Sequence, residues 1–209
     1  HIGESQVEAN AFHCGAVLSA CEKGSQWTQA LWLLVSMPPR QVGTDAYSYG
    51  AAISAFEKCE RWDSALGLLA AMELVGVAKD AVACTAAVSA CEKGSQASQA
   101  LSLLHAMAAG RVTRDAFAYT AAVTACEKAG RWPLALEVLE EMLNEGIAKD
   151  LFAYGAAVST CEARGQWRLA LAYLGTMIRN RIKASTVTFC ASIAACEGGA
   201  NWQPAMEVL

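Results

Sequence analysis

Cysteine is the residue type in this 209-residue chain with the widest chemistry, because thiolates bind metals, form disulfides and attack electrophiles. Five of the nine cysteines stand 35 or 70 residues apart, namely Cys21, Cys91, Cys126, Cys161 and Cys196. Phe56 occupies the place in this series that has no cysteine. Because an aromatic side chain replaces the thiol there, the pattern indicates an apolar packing position. The sequence has no CxxC pair, so we expect no metal site, no disulfide, and free thiols in a reducing compartment.

Lysines repeat at the same interval and are the candidates for binding phosphate: Lys23, Lys58, Lys93 and Lys128. Such a row can neutralise the phosphates of a nucleic acid backbone. Ala163 and Gly198 follow in the later copies, so this electrostatic contribution should fade towards the C-terminus. A glutamate precedes every member of the row. Pairing of these glutamates with lysines of neighbouring repeats is the alternative, and such exposed pairs contribute about 0–1 kcal/mol each.

Three histidines, His1, His13 and His105, share no place in the repeat and have no recurring acidic or nucleophilic partner. The sequence also lacks P-loop, GxSxG and HExxH patterns. We therefore expect no catalytic site, no metal and no cofactor in this chain.

Composition limits the class of protein. The chain is 55% hydrophobic and 17% charged, which is typical of a folded chain and not of a disordered one. No stretch of about 18 apolar residues is present, so we expect no membrane span. The net charge of −4 argues against a generic polyanion binder. The first residue is not Met and the last segment stops within the pattern, so we expect a piece of a longer protein.

Tryptophans and alanines keep the 35-residue interval without insertion or deletion. Ala97 fills the one missing place in the series Trp27, Trp62, Trp132, Trp167 and Trp202. Places within a repeat are called slots below, counted from the first residue of each repeat. The predicted organisation is an N-terminal flank at 1–10, five repeats at 11–45, 46–80, 81–115, 116–150 and 151–185, and a partial sixth repeat at 186–209.

Each repeat is predicted to form two helices. Tyr49, Ile53 and Phe56 lie on one helical face, and a second apolar stripe begins at Trp62 after a short polar break. Glycines in the breaks are predicted helix C-caps, at Gly24, Gly94, Gly130 and Gly165. Alanine pairs beside the stripe permit close packing, and neither helix can bury its stripe alone. We therefore predict an all-α, right-handed α-solenoid of stacked antiparallel helix-turn-helix repeats.

Repeat four shows the sequence pattern of the 35-residue repeat most completely. The pattern comprises Tyr119-Thr120, the segments 126–131 and 135–142, and Gly146-Ile147-Ala148-Lys149-Asp150. Together with its copies over residues 11–209, this pattern resembles the P-type repeat of the pentatricopeptide repeat (PPR) family. The proline that is common near the end of the family's repeat is replaced here by Lys79, Arg114 or Lys149.

The resemblance implies binding of single-stranded RNA at about one nucleotide per repeat. In the family, slot five and the last residue of the repeat read the base. Carried onto this sequence, the pairs are Gly15 with Asp45, Gly50 with Asp80, Thr85 with Asp115, Thr120 with Asp150, and Gly155 with Ser185. The Thr/Asp pairs resemble the combination that prefers guanine, whereas the glycines should discriminate poorly.

Slot two lies on the same helical face as slot five, and the family uses an apolar residue there to wedge between bases. Its members are Phe12, Tyr47, Val82, Phe117, Phe152 and Val187. Stacking of this kind contributes about 1–3 kcal/mol per base. Packing between repeats is the alternative role of these side chains.

Two functions are consistent with this sequence. The first is a sequence-selective binder of single-stranded RNA without catalytic activity. The resemblance implies that such a binder acts on transcripts of a mitochondrion or chloroplast, in RNA processing, stability or translation, with the targeting segment outside this sequence. The second is a scaffold of the same architecture that holds a peptide or helix of another protein.

Overall fold

Helices account for nearly all of the structure. The computed structural model describes residues 11–37, 45–147, 151–162, 165–198, 203 and 206. Within these residues the chain forms eleven α-helices and no strand. Their bounds are α1 Ala11–Lys23, α2 Trp27–Ser36, α3 Ala46–Lys58, α4 Trp62–Leu74, α5 Ala81–Lys93, α6 Ala97–Ala109, α7 Ala116–Lys128, α8 Trp132–Asn144, α9 Leu151–Glu162, α10 Trp167–Arg179 and α11 Thr186–Gly198. The predicted all-α fold of 35-residue helical hairpins is confirmed, and none of the described helices is long and apolar enough to cross a membrane.

The chain divides into two compact units, His1–Gly94 and Ser95–Leu209. The first unit contains α1 to α5, and the second contains α6 to α11. In both units a first helix begins at slot one and a second helix at slot seventeen of each described hairpin, so the helix starts follow the period of the sequence.

Turns between the two helices of a hairpin depend on one residue with a left-handed backbone. That residue is at slot fifteen, with φ between 53° and 67° at Ser25, Glu60, Ser95, Gly130 and Gly165. Gly94 is the C-cap residue of α5, as predicted, and Gly24 likewise follows the last residue of α1, but in both turns the following serine has the positive φ. Gly130 and Gly165 have the positive φ themselves. Gly94 is needed for a different reason, because a Cβ there would lie 2.2 Å from Cδ1 of Trp62.

The apolar stripe predicted on the first helices forms the core. At slot four the buried side chains are Cys14, Tyr49, Cys84, Tyr119 and Tyr154, and at slot eight they are Leu18, Ile53, Val88, Val123 and Val158. The second helices contribute the recurring alanine at slot twenty and methionine at slot twenty-seven, all buried wherever the structure describes them, from Ala30 and Met37 to Ala170 and Met177.

First helices pack closely on one another within each unit. Cα atoms of α1 and α3, α3 and α5, α7 and α9, and α9 and α11 approach within 8 Å, whereas described Cα atoms of neighbouring second helices of one unit do not. The alanine pairs make this approach possible and are buried, as are Ala51 and Ala52. A larger side chain at these positions would push the helices apart.

Tryptophans at the start of the second helices connect neighbouring repeats. The ring of Trp27 lies 5.7 Å from that of Phe56 in the next repeat, and the guanidinium of Arg61 lies 4.6 Å from the Trp27 ring. Trp62 packs on the backbone at Gly94 in the same way. Trp27 and Trp62 are therefore packing residues between neighbouring repeats.

The five periodic cysteines are buried, as is Phe56 at the same slot of repeat two. Burial raises the pKa of Cys91, Cys126 and Cys161 to about 11. At neutral pH these side chains are therefore protonated thiols that pack as small hydrophobic groups. Among the described residues no three of His, Cys, Asp and Glu are placed to hold a metal ion.

Candidate nucleic-acid interface

The last residue of each repeat caps the first helix of the next one. Oδ1 of Asp80 accepts a hydrogen bond from the backbone N–H of Ala83 at 2.8 Å, and Asp45 and Asp115 cap their helices in the same way. Ser185 accepts the corresponding bond at its Oγ. In the part of the chain that is described, Oδ2 of these aspartates accepts no hydrogen bond. One carboxylate oxygen therefore stabilises the helix while the other is available to a ligand.

Slot five of one repeat lies beside slot two of the next. A Cβ built on Gly15 would lie 3.2 Å from Cε1 of Tyr47, and one built on Gly50 would lie 3.9 Å from Cγ1 of Val82. Asp45 caps the helix whose second residue is Tyr47. The structure thus brings together slot five, the last residue and the next slot two in repeats one and two, as the base-reading hypothesis requires.

Slot two is exposed. The side chains of Tyr47, Val82, Phe117 and Val187 are between 59% and 71% accessible to solvent. Packing between repeats was the alternative role for these residues, and so high an exposure argues against it. The exposed row is able to stack against the faces of bases.

The two threonines at slot five differ in their hydrogen bonds. Oγ1 of Thr120 donates to the carbonyl of Ala116 at 2.7 Å, so it is left as an acceptor. Oγ1 of Thr85 is buried and has no hydrogen-bond partner among the described atoms. An unpaired buried hydroxyl costs free energy that a ligand group could recover by bonding to it.

The structure tests five other predicted positions or pairs less completely. Asp150 lies outside the described residues, as do the side chains of Phe12 and Phe152. Thr85 and Asp115 belong to different units. Gly155 and Ser185 belong to the same unit, and a Cβ on Gly155 would have open space around it. These assignments stay predictions.

Two lysines of the predicted phosphate row form ion pairs between repeats. Nζ of Lys58 lies 3.1 Å from Oε1 of Glu22, and Nζ of Lys93 lies 3.1 Å from Oε1 of Glu57. Lys23 and Lys128 are exposed. The alternative of Glu–Lys pairing thus describes Lys58 and Lys93 in the unliganded chain, and each pair lowers the positive potential of the row.

A charged cluster that the sequence analysis did not find holds the turn before α7 against α8. The side chain of Arg114 is 9% exposed. Its Nη1 lies 2.5 Å from Oε1 of Glu141, and its Nη2 contacts Oε1 of Glu145. The hydroxyl of Tyr119 donates to Glu145 at 2.9 Å, and burial together with the charge of Glu141 raises the pKa of Tyr119. The only signal in the sequence was an arginine where the PPR family commonly has proline.

The fold defines a class of protein, the α-helical repeat proteins built from stacked helical hairpins. The model of the PPR repeat matches residues 47–77 and 117–147, which are the greater part of repeats two and four. The chain therefore contains PPR repeats at these two positions.

Solved structures share this fold. The PPR protein PPR10 in complex with an 18-nt psaJ RNA element matches with a TM-score of 0.77 and 24% identity, over 96% of this chain and 29% of that chain. PPR10 from maize matches with a TM-score of 0.68 and 23% identity, over 90% of this chain and 27% of that chain. The PPR domain of Arabidopsis thaliana protein-only RNase P 1 in complex with tRNA matches with a TM-score of 0.73 and 15% identity, over 83% of this chain and 91% of that chain.

These identities establish the fold alone. The chain spans less than a third of the length of the PPR10 structures. No curated protein sequence matches the chain.

Proposed function

We propose that this chain binds single-stranded RNA along its first helices and reads about one base per repeat. The observation that carries the proposal is the exposed row at slot two, in which Tyr47 and Val82 each lie beside slot five of the preceding repeat. A base that stacks on such a side chain places its edge near slot five and the last residue of the repeat.

Guanine is the base we assign to the repeats with threonine. A carboxylate can accept from the donors of guanine while a hydroxyl meets its acceptors, which is the combination that a Thr/Asp repeat supplies. The buried, unpaired Oγ1 of Thr85 supports this assignment. Repeats with Gly15 and Gly50 offer no side chain at slot five, so they should bind a base with little selectivity.

The function is binding and not catalysis, and we place it on organellar transcripts in mitochondria or chloroplasts because that is where the family resemblance points. PPR10 and the PPR domain of protein-only RNase P 1 have each been solved with RNA, which supports RNA as the ligand of this chain.

A protein scaffold is the second candidate. The ion pairs of Lys58 with Glu22 and Lys93 with Glu57 favour it, because they leave the row with little net charge. A groove that binds a peptide through apolar side chains needs no such charge.

Selection from a random RNA pool on the whole chain tests the proposal. We expect enriched sequences that contain guanine at two adjacent places, for Thr85 and Thr120. Replacing Thr85→Val keeps the side-chain shape and removes the hydroxyl, so it should reduce the preference at one of these places.

Thr160→Val is the matched control, because its Oγ1 is already bonded to the carbonyl of Ala156 at 2.6 Å. This variant should leave the selected sequence unchanged. A pool from which no sequence is enriched, with no micromolar binding at low salt, would favour the scaffold.

A further inference from the structure

Basic residues are concentrated in the fifth repeat. Residues 163–196 contain four arginines and one lysine and neither aspartate nor glutamate, although the whole chain has a net charge of −4. Four of these five cations are described, and all four are exposed: Arg168, Arg179, Arg181 and Lys183. They are called the basic face below.

None of the four has an acidic partner among the described residues. Arg168 lies over the ring of its neighbour Trp167, with its guanidinium carbon 5.1 Å from the ring centre, and Arg179 donates to Oγ1 of Thr176 at 3.1 Å. Lys58, Lys93 and Arg114, by contrast, are each paired with a glutamate of another hairpin or helix. The basic face therefore keeps its charge available to a ligand.

The fold does not require these cations. At the slot of Arg168 the other repeats have Thr28, Asp63, Ser98 and Pro133, and at the slot of Arg179 they have Pro39, Leu74, Ala109 and Asn144. At the slot of Lys183 they have Gly43, Ala78, Thr113 and Ala148. Arg168 also stands in the first turn of α10, where the helix dipole disfavours a positive charge. Its presence there is thus better explained by a ligand than by stability.

One end of the basic face, at Lys183, lies next to the predicted base-reading row, and the rest extends along α10. Lys183 precedes Ser185 by two residues, so it lies within about 7 Å of the last residue of repeat five. Arg179 and Arg168 are three helical turns apart on one side of α10, about 16 Å along its axis. One strand of nucleic acid has a phosphate for about every 3.4 Å of helix axis, so this length suits four or five phosphates.

Resting on the proposed function, we infer that the basic face is a second RNA contact, which binds phosphates of the nucleotides flanking the bases read by the repeats. Binding there does not depend on base identity. It supplies charge at the end of the array where the lysine row is replaced by Ala163 and Gly198.

The test compares three single-stranded RNA probes on the whole chain. A core probe of about five nucleotides, one per repeat, contains adjacent guanines, and two longer probes add about five uridines to one or the other end. Wild-type protein should bind one of the longer probes more tightly than the core. The variant Arg168→Gln/Arg179→Gln/Arg181→Gln/Lys183→Gln should bind the core normally and gain nothing from the extension.

Salt dependence identifies phosphate as the group that is bound. Each lost contact with a single strand should reduce the slope of log K against log salt by about 0.7, so the variant should lose roughly 3 from the slope on the longer probe. Single changes guard against loss of folding. Arg181→Gln should reduce the slope. Arg111→Gln is the matched control and should leave the slope unchanged, because Arg111 occupies the same slot in repeat three with nearly the same backbone, φ 55° against 57° at Arg181.

Binding of the core probe reports on the proposed function by itself. If wild type binds the core but neither extension increases affinity, or if the variant gains as much as wild type, the inference is overturned while the proposed function stands. Binding of polyglutamate by wild type and not by the variant, without any gain from the extensions, assigns the face to an acidic protein and also overturns it. If wild type binds none of the RNA probes, both proposals fail.

Discussion

At the residue scale, the aspartates that end the repeats combine a structural role with the predicted chemical one. Asp80 uses Oδ1 to cap α5, and its Oδ2 has no partner among the described groups. Asparagine can cap a helix about as well as aspartate, whereas alanine cannot. The two roles can therefore be separated by substitution.

Asp80→Ala should lower the free energy of unfolding by about 1 kcal/mol, because the cap of α5 is lost. Asp80→Asn should keep the stability within a few tenths of a kcal/mol and still change the base preference of the second repeat, since the amide brings a donor where the carboxylate had only acceptors. Urea unfolding and RNA selection measure the two effects. Equal destabilisation by both variants would contradict the capping assignment.

Buried thiols make the stability of the fold depend on pH in alkaline solution. Burial raises the pKa of Cys91, Cys126 and Cys161 from 9.0 to about 11. Between these values the unfolded chain releases the protons that the folded chain retains, so the stability is complete below pH 9 and should fall as the pH rises towards 11. Thermal unfolding at a series of pH values would show this, and the triple Cys→Ala variant should lose less stability over the same range.

Several of these residue assignments were available from the sequence. The apolar slots four, eight and eleven follow from helical periodicity, and a Phe56 in the cysteine series already indicated packing. The capping role of Asp45, Asp80 and Asp115 was missed although an aspartate before a helix is a recognised signal. The positive φ of Ser25 and Ser95 could not be predicted, because a glycine, the usual residue for that conformation, stands one position earlier in both turns. At Gly94 the small residue is needed beside Trp62 instead.

At the element scale, the first helices of each unit pack closely on one another, and first-helix side chains form most of the candidate interface. The glutamates that precede the lysine row pair with the next repeat, as Glu22 does with Lys58. These pairs are partly exposed and add little stability, so they can be removed without loss of the fold. Their removal shows whether the lysines bind phosphate.

The variant Glu22→Gln/Glu57→Gln should bind RNA more tightly and with a steeper salt dependence, because Lys58 and Lys93 no longer have carboxylate partners. Glu73→Gln is the matched control, since it releases Lys79 from a 2.7 Å ion pair outside the row. Fluorescence anisotropy at several salt concentrations measures both. Unchanged affinity in the double variant would show that the lysine row does not contact phosphate.

Packing between hairpins depends on Gly94. Gly94→Ala should force the ring of Trp62 to move, because the added Cβ would lie 2.2 Å from Cδ1. Overpacking of this kind costs about 1–3 kcal/mol. Gly24→Ala is the comparison, as its Cβ would approach no atom closer than 3.3 Å. Similar melting temperatures for the two variants would contradict the role given to Trp62.

At the scale of the whole molecule, the 35-residue period was sufficient to predict the class of fold, because every repeat must bury its apolar stripe against a neighbour. The candidate interface was predicted less completely. Slot two was correctly located on the exposed face, but the sequence could not show that Lys58 and Lys93 pair with glutamates, since that depends on side-chain distances across repeats. The charge of residues 163–196 was visible in the sequence but does not follow the 35-residue period.

The central claim is that the exposed slot-two side chains bind the bases of single-stranded RNA. The most direct measurement is the affinity of Tyr47→Ala/Phe117→Ala for a guanine-containing single strand, beside a control, Leu74→Ala/Ile178→Ala, that removes exposed apolar side chains elsewhere. With stacking at about 1–3 kcal/mol per base, the first variant should bind at least roughly tenfold more weakly, and both should melt close to wild type. Equal RNA affinity in wild type and both variants would contradict the claim.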